Sequence, residues 1–314
     1  MVQIFPGRRS KIFLAALFAC ACLIILSDVQ RSVYGQPRVK EPITWTLGSS
    51  TSLIRELNPD ILREVKQSGI DLIEIGWRNL NWHELDYAER LSNARRVYAQ
   101  ATDAGISIWS THVPYGEDVD ISNPDEEHRR KAIARVKEFI DLALEMQAKH
   151  VVLHASERIA ENTREQRVSK CRESLKELSK YMQGKGIALA IESLPPDFMG
   201  NSSKELLRIV EGIDHVGICF DTNHLVPERP EDFVRAAGKK ITTVHIADFD
   251  GVEQKHWMPG RGTVEWSKVI DELMKAGYSG PFMYEVVARE GEAHTFRDLK
   301  GNYEMLGRAW AEGR

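Results

Sequence analysis

The chain has 314 residues, of which 42% are hydrophobic and 28% are charged, and this composition is typical of a folded globular protein. A chain of this length suits one large α/β barrel or two smaller domains. The formal net charge is -4, so there is no basic excess to bind a phosphate backbone, and nucleic acid is disfavoured as a partner.

The N-terminus has the pattern of an export signal. Basic residues precede an apolar run at 12–26, which at about 15 residues is short for a membrane span but typical of a signal-peptide core. Val33 and Gly35 are small residues at the positions that a signal peptidase reads. We therefore predict a signal peptide at 1–35, a linker at 36–42 and an exported, periplasmic or extracellular protein. The alternative is an uncleaved N-terminal anchor, which would tether the chain to a membrane.

Short apolar runs alternate with amphipathic segments from residue 43 to the C-terminus. The apolar runs predict strands at 43–48, 71–76, 106–111, 150–154, 187–192, 216–221, 242–246 and 282–286. The amphipathic segments predict helices near 59–67, 83–103, 125–147, 162–184, 202–212, 230–238, 266–276 and 294–311. Eight such units in about 270 residues match the size of a (β/α)8 barrel, so we predict a single α/β TIM barrel over 43–314.

A doubly wound open sheet is the competing architecture. Such a sheet usually carries a glycine-rich phosphate-binding turn after its first strand. The sequence here continues as Gly48-Ser-Ser-Thr-Ser52, which lacks the required spacing. The barrel is therefore the favoured fold.

Four polar residues stand at the ends of predicted strands five to eight. They are Glu192, Asp221, His245 and Glu285. In a parallel barrel the C-terminal ends of all strands meet at one rim, so side chains that are distant in sequence converge there. Because three buried carboxylates without a partner would be costly, a divalent metal ion among them is the natural solution. The sequence therefore predicts a metal site at this rim.

More histidines fall at or just after predicted strand ends. They are His112, His154, His224 and His256. A single histidine on an apolar strand is more often a hydrogen-bonded core residue than a ligand, and His256 alone could be the tip of an exposed loop. As a group they predict a site at the barrel rim that is rich in imidazole.

The rim pattern resembles the xylose isomerase-like TIM barrels, a family that includes sugar isomerases and epimerases, inosose dehydratases and endonuclease IV. The resemblance covers roughly residues 43–312 and rests on Glu192, Asp221-Thr-Asn-His224, His245, Pro259-Gly-Arg-Gly262 and Glu285. It implies that Glu192, Asp221, His245 and Glu285 hold one divalent ion, often Mn²⁺, and that Glu192 and Glu285 form an acid/base pair. Three carboxylates and one imidazole suit Mn²⁺, Mg²⁺ or Co²⁺ at least as well as Zn²⁺.

The same resemblance assigns roles near the metal. In the epimerases a basic residue before the Pro-Gly-x-Gly turn contacts the substrate, and His256 has that spacing. Trp257 beside it could cover an apolar sugar face, and Arg261 is the nearest candidate for a phosphate group. His112, His154 and His224 would contact substrate or a second metal.

Endonuclease IV holds three zinc ions in a barrel of the same fold. Its zinc ligands beyond the four-residue cluster correspond to four histidines of this chain and to one aspartate. That aspartate position is Gln254 in this chain. The departure argues against a third zinc site and, with the predicted export, against DNA repair.

The sequence thus favours a metal-dependent isomerase or epimerase that moves a proton on a small carbohydrate through an enediolate. A lyase or dehydratase acting on a keto-sugar or 3-keto-glycoside would use the same site. A barrel that only binds carbohydrate is less favoured because both Glu192 and Glu285 are present. Oligomerisation is common in the family that the chain resembles, so a homo-oligomer is compatible with the resemblance, but no sequence feature marks an interface.

Overall fold

The structure is a computed structural model that describes residues 42–54, 56–224, 227–287 and 294–314. The predicted signal peptide and all but the last residue of the predicted linker lie outside these ranges, so export stays a prediction. Across the ranges that are described, no helix combines the length and the apolar character needed to cross a membrane.

Strands and helices alternate along the described chain, as the sequence predicts. The strands are β1 (Leu47–Ser50), β2 (Leu72–Gly76), β3 (Ser107–His112), β4 (His150–Leu153), β5 (Ala188–Glu192), β6 (Val216–Asp221), β7 (Ile241–His245) and β8 (Phe282–Tyr284). The helices are α1 (Pro59–Gln67), α2 (Tyr87–Asp103), α3 (Glu126–Glu145), α4 (Arg164–Met182), α5 (Ser203–Val210), α6 (Pro230–Ala237), α7 (Trp266–Ala276) and α8 (Phe296–Ala311).

All eight strands belong to one parallel sheet, in the order β7-β6-β5-β4-β3-β2-β1-β8. The two end strands meet through a parallel bridge between Ile246 and Tyr284. Ile246 N donates to Met283 O at 2.8 Å, and Glu285 N donates to Ile246 O at 3.0 Å. The sheet therefore curves into a nearly closed barrel, which confirms the predicted TIM barrel and excludes the open doubly wound sheet.

The first strand and the second predicted helix begin later than the sequence indicates. Trp45 lies before β1, whose pairing with β8 begins at Leu47. Its Nε1 donates to Tyr278 O at 2.8 Å and its ring stacks on Phe282, so its side chain packs in the core although it is outside the strand. Helix α2 begins at Tyr87 rather than near residue 83 because Asp86 forms a capping box with Glu89. These changes leave the strand ends at the C-terminal rim in place.

Candidate metal centre and active site

The four residues predicted to bind a metal converge at the C-terminal rim. Glu192, Asp221 and His245 are the last residues of β5, β6 and β7, and Glu285 directly follows β8. One ligand atom from each lies within 4.8 Å of the others. Glu192, Asp221 and His245 are buried, and Glu285 is partly buried. The barrel geometry thus assembles the cluster from four separate parts of the sequence.

His245 lies at the centre of this cluster. Its Nδ1 is 2.8 Å from Glu192 Oε1 and 3.2 Å from Glu285 Oε2. Its Nε2 faces the opposite way and lies 3.0 Å from Oε1 of Glu74, a buried carboxylate on β2. Glu74 also accepts a hydrogen bond of 2.7 Å from Ser110 Oγ. Neither Glu74 nor Ser110 is among the site residues that the sequence predicts.

The carboxylates of the cluster have pKa values shifted in opposite directions. Burial acts to raise the pKa of Glu192, but the charge of His245 and the hydrogen bonds from His112 and His154 outweigh it and hold this pKa well below its usual value. Burial raises the pKa of Asp221 well above its usual value, and the charges of Glu285 and Glu192 raise it further. The protein groups alone therefore supply too little positive charge to ionise every carboxylate.

Two buried oxygen atoms of the cluster also lack a hydrogen-bond partner among the described residues. They are Asp221 Oδ2 and Glu285 Oε2. Glu285 Oε2 lies 3.2 Å from His245 Nδ1, but that nitrogen bonds Glu192 Oε1 at 2.8 Å. His224 Nδ1 lies 3.0 Å from Asp221 Oδ2 but bonds the carbonyl oxygen of Ser193 at 2.9 Å. Buried oxygens without a partner are rare in native proteins and mark sites that take an ion or a water molecule. With three oxygen donors and one nitrogen, the cluster fits a divalent cation.

The predicted His112 and His154 lie against the same cluster. Their Nε2 atoms are 3.1 Å and 2.9 Å from Glu192 Oε2. Burial would lower the pKa of His112, but its hydrogen bond to Glu192 and the charge of that carboxylate raise the pKa to about 9. His112, His154 and Glu192 form a second group of ligand atoms that lie within 4.8 Å of one another. His112 and His154 therefore contact the predicted metal site through their shared partner Glu192.

His224 and His256 lie together on the other side of the cluster, with ring centroids 5.8 Å apart. His256 Nδ1 is 3.0 Å from Glu285 O. Two backbone N–H groups, of Lys255 and His256, donate to Asn223 Oδ1 at 2.8 Å each. Asn223, on the turn after β6, thereby fixes the position of His256, whose φ of 48° is unusual for a residue other than glycine.

The loop between β7 and α7 is organised around buried Asp248. Its carboxylate accepts from Gly260 N at 2.8 Å, Val264 N at 3.1 Å and Trp266 Nε1 at 2.9 Å. A Cβ atom on Gly262 would lie 2.4 Å from Asp248 Oδ1, so only glycine fits there. This packing gives a physical reason for the Pro-Gly-Arg-Gly motif.

A cavity of about 460 Å³ opens above the cluster. Its inner part is lined by Glu74, His112, His154, Glu192, His224, His256 and Glu285. Its outer wall contains Trp77, Arg78, Tyr115, Arg158 and Phe198. The cavity lining does not include Trp257 or Arg261, and the Arg261 guanidinium lies over the Trp257 ring, 4.8 Å from its centroid. Substrate contact by these two residues stays a prediction.

Comparison with known proteins gives consistent matches. A fructoselysine 3-epimerase of Shigella flexneri is 28% identical over 174 residues, which are 52% of this chain and 61% of that protein. A D-psicose 3-epimerase of Ruminiclostridium cellulolyticum is 24% identical over 242 residues, 73% of this chain and 78% of that protein. The crystal structure of a D-tagatose 3-epimerase-like protein superposes with a TM-score of 0.71 at 22% identity, covering 85% of this chain and 99% of that one.

The alignment with the fructoselysine 3-epimerase spans less than two thirds of that protein, and the similarity to the solved structure concerns the fold. A family model described as the xylose isomerase-like TIM barrel matches residues 62–305, which include all four residues of the cluster. The chain belongs to the xylose isomerase-like TIM barrel family.

Proposed function

We propose that this chain is a divalent-metal-dependent isomerase or epimerase that acts on a small carbohydrate. The observation that carries the proposal is the convergence of four ligand atoms within 4.8 Å beside a cavity of about 460 Å³. This volume is in the range of pockets that enclose small molecules. The sugar 3-epimerases among the relatives support the reaction type.

Glu192 and Glu285 are the proposed acid and base. Both line the cavity, and both approach His245 Nδ1, from β5 and from the end of β8. Inversion at a carbon next to a carbonyl needs one group that removes a proton from one face and another that returns a proton to the opposite face. A metal ion held by the cluster would supply positive charge for the negative oxygen that develops.

The charge of His245 affects how well Glu285 can accept a proton. Burial would raise the pKa of Glu285, but the charge of His245 lowers it to about 2, which is low for a base at neutral pH. A histidine must lose its proton to bind a metal. Binding of a metal ion by the cluster therefore requires His245 in its neutral form, which removes this charge from beside Glu285.

Incubation of the metal-loaded protein with keto-sugars in D₂O, followed by NMR, tests the reaction. We expect deuterium at the epimerised carbon of the recovered sugar, because the proton is exchanged on the enzyme. Glu285→Gln should lower turnover by at least ~10²-fold, the usual scale for a lost acid or base. Full activity in this variant, with deuterium still incorporated, would contradict a role for Glu285 in proton transfer.

A lyase acting on a 3-keto-glycoside is the second candidate, and the outer wall of the cavity favours it. Trp77, Tyr115 and Phe198 lie there, and Tyr115 is 51% exposed. An exposed aromatic wall beyond the metal site suits a sugar that carries a substituent. Arg78 and Arg158 line this wall, and Arg158 is already paired with Asp197 at 2.7 Å. In the same D₂O experiment with a 3-keto-glycoside as substrate, release of the substituent would identify elimination.

A further inference from the structure

Glu74 is a buried carboxylate beside the cluster, and the proposed reaction does not use it. It lies in the middle of β2 and is 1% exposed. Both of its oxygens lie close to His245 Nε2, Oε1 at 3.0 Å and Oε2 at 3.1 Å. Oε2 also accepts the hydrogen bond from Ser110 Oγ. A buried carboxylate is costly unless it is paired in this way, so its location calls for an explanation.

The pairing of β2 with β3 directs the side chain of Glu74 toward His245. The register between β2 and β3 shifts between Ile73 and Glu74, and the shift brings Ser110 directly opposite Glu74. Irregularities of this kind change the direction of a side chain and are frequent next to active sites. The hydroxyl of Ser110 then holds Oε2, while both carboxylate oxygens stay within hydrogen-bond distance of the imidazole Nε2.

A neutral imidazole carries its proton on one nitrogen and offers a lone pair on the other. Nδ1 of His245 faces Glu192 and Glu285, and Nε2 faces Glu74. A carboxylate only accepts hydrogen bonds, so Glu74 favours the tautomer with the proton on Nε2. The lone pair of Nδ1 is then left pointing at the other carboxylates.

We propose that Glu74 is a positioning residue that keeps the proton of His245 on Nε2 and so presents Nδ1 to the cation. The inference rests on the proposed metal-dependent function. It does not make Glu74 a ligand, because none of the ligand groups that converge among the described residues includes Glu74, and His245 lies between it and the cluster. Carboxylates that orient a metal-binding histidine typically strengthen metal affinity 10–100-fold.

Titration of the purified full chain with Mn²⁺, read by electron paramagnetic resonance of the free ion, tests the inference. We expect Glu74→Leu to raise the Kd for Mn²⁺ by about 10–100-fold. Glu74→Gln should have a smaller effect because its amide oxygen still accepts the Nε2 proton. Glu231→Gln is the matched control, since Glu231 is also buried but starts α6 and belongs to none of the converging ligand groups. We expect no change in Kd for the control.

The outcomes separate this inference from the proposed function. Failure of the wild-type protein to bind Mn²⁺ would overturn the proposed function. Wild-type binding with an unchanged Kd in Glu74→Leu would overturn the role of Glu74 alone. If Glu74→Leu does not fold, nitrogen-15 NMR of the histidines in Mg²⁺-saturated wild-type protein decides the question. A His245 Nε2 proton that is shifted downfield by a hydrogen bond to a carboxylate supports the inference, and a proton on Nδ1, or an Nε2 proton without that shift, overturns it.

Discussion

At the scale of single residues, two histidines with buried ring nitrogens differ in whether those nitrogens have a partner. His245 has carboxylates at both ring nitrogens. Burial acts to lower its pKa, but electrostatic interactions with Cys219 and with these carboxylates outweigh burial and hold the pKa well above the usual value. His150, at the start of β4, is the opposite case. Its Nδ1 is buried without a hydrogen-bond partner among the described residues, and its ring lies 4.9 Å from that of Trp109.

His150 should make the stability of the protein depend on pH. Burial lowers its pKa to about 4, against 6.5 as the ordinary value, although the charge of Glu74 acts the other way. Between these values the unfolded chain binds the proton and the folded chain does not, so the free energy of unfolding falls as the pH is lowered. From pH 7 to pH 5 this loss is about 2 kcal/mol.

Urea unfolding at the two pH values, with EDTA present to remove metal effects, measures this contribution. The variant His150→Gln cannot take up a proton, so its loss of stability between pH 7 and pH 5 should be smaller than that of the wild type by about 2 kcal/mol. His128→Gln is the control because His128 is exposed on α3, with 67% of its side chain accessible. Equal pH dependence in wild type and His150→Gln would contradict the assignment.

At the scale of strands and loops, the sequence predicts what lies at the ends of apolar runs. Glu192, Asp221 and His245 each close such a run, so the C-terminal rim could be located without a structure. Glu74 was missed because it interrupts the run Leu72–Gly76 and does not end it. A charge between Ile73 and Ile75 in a strand that is buried on both faces was nevertheless a signal, since a buried charge needs a partner.

Loop contacts were harder to predict than strand ends. Arg261 and Trp257 belong to the loop after β7, and the direction of their side chains depends on the hydrogen bonds that its backbone makes to Asp248. Such long-range bonds leave no periodic pattern in the sequence. The cationic residues on the cavity wall are Arg78 and Arg158 instead, which follow β2 and β4.

Gly262 should be the most sensitive glycine of this loop. In Gly262→Ala the new Cβ would lie 2.1 Å from Phe249 O, which is backbone and cannot easily move. We expect a loss of about 1–3 kcal/mol in the free energy of unfolding, the scale of an overpacked site. Urea unfolding with the metal-free protein measures it.

Gly260→Ala separates the steric clash from backbone strain. Gly260 has a φ of 88°, yet the nearest atom to an added Cβ is Met305 Cε at 3.6 Å. Its substitution should cost about 1 kcal/mol, as expected for a left-handed backbone without a clash. Equal losses in the two variants would show that the contact with Phe249 is not what excludes a side chain at Gly262.

At the scale of the whole molecule, the metal cluster spans the weakest junction of the barrel. Strands β7 and β8 are joined by the single bridge at Ile246, whereas β6 and β7 pair over four positions. His245 ends β7, and Glu285 follows β8. Ligand atoms on both sides of this junction converge, so a cation bound by them would link the two ends of the sheet.

Metal binding should therefore stabilise the entire barrel. A ligand that binds only the folded state adds about 2.7 kcal/mol when its free concentration is 100 times its Kd. For a protein of this size each kcal/mol raises Tm by about 2–4 °C, so saturating Mn²⁺ should raise Tm by about 5–10 °C. Thermal unfolding followed by circular dichroism, with Mn²⁺ and then with excess EDTA, measures the shift and its reversal.

Asp221→Ala is the decisive comparison for this shift. Asp221 is fully buried, and its Oδ2 has no hydrogen-bond partner among the described residues, whereas its Oδ1 accepts from Asn223 N at 2.6 Å. The substitution therefore takes away a ligand at the loss of one buried hydrogen bond. The variant should show no increase in Tm with Mn²⁺, whereas Asp103→Ala, an exposed aspartate at the end of α2, should respond like the wild type. An equal Tm increase in all three proteins would mean that Mn²⁺ binds elsewhere, and the link between the cluster and the closure of the barrel would be lost.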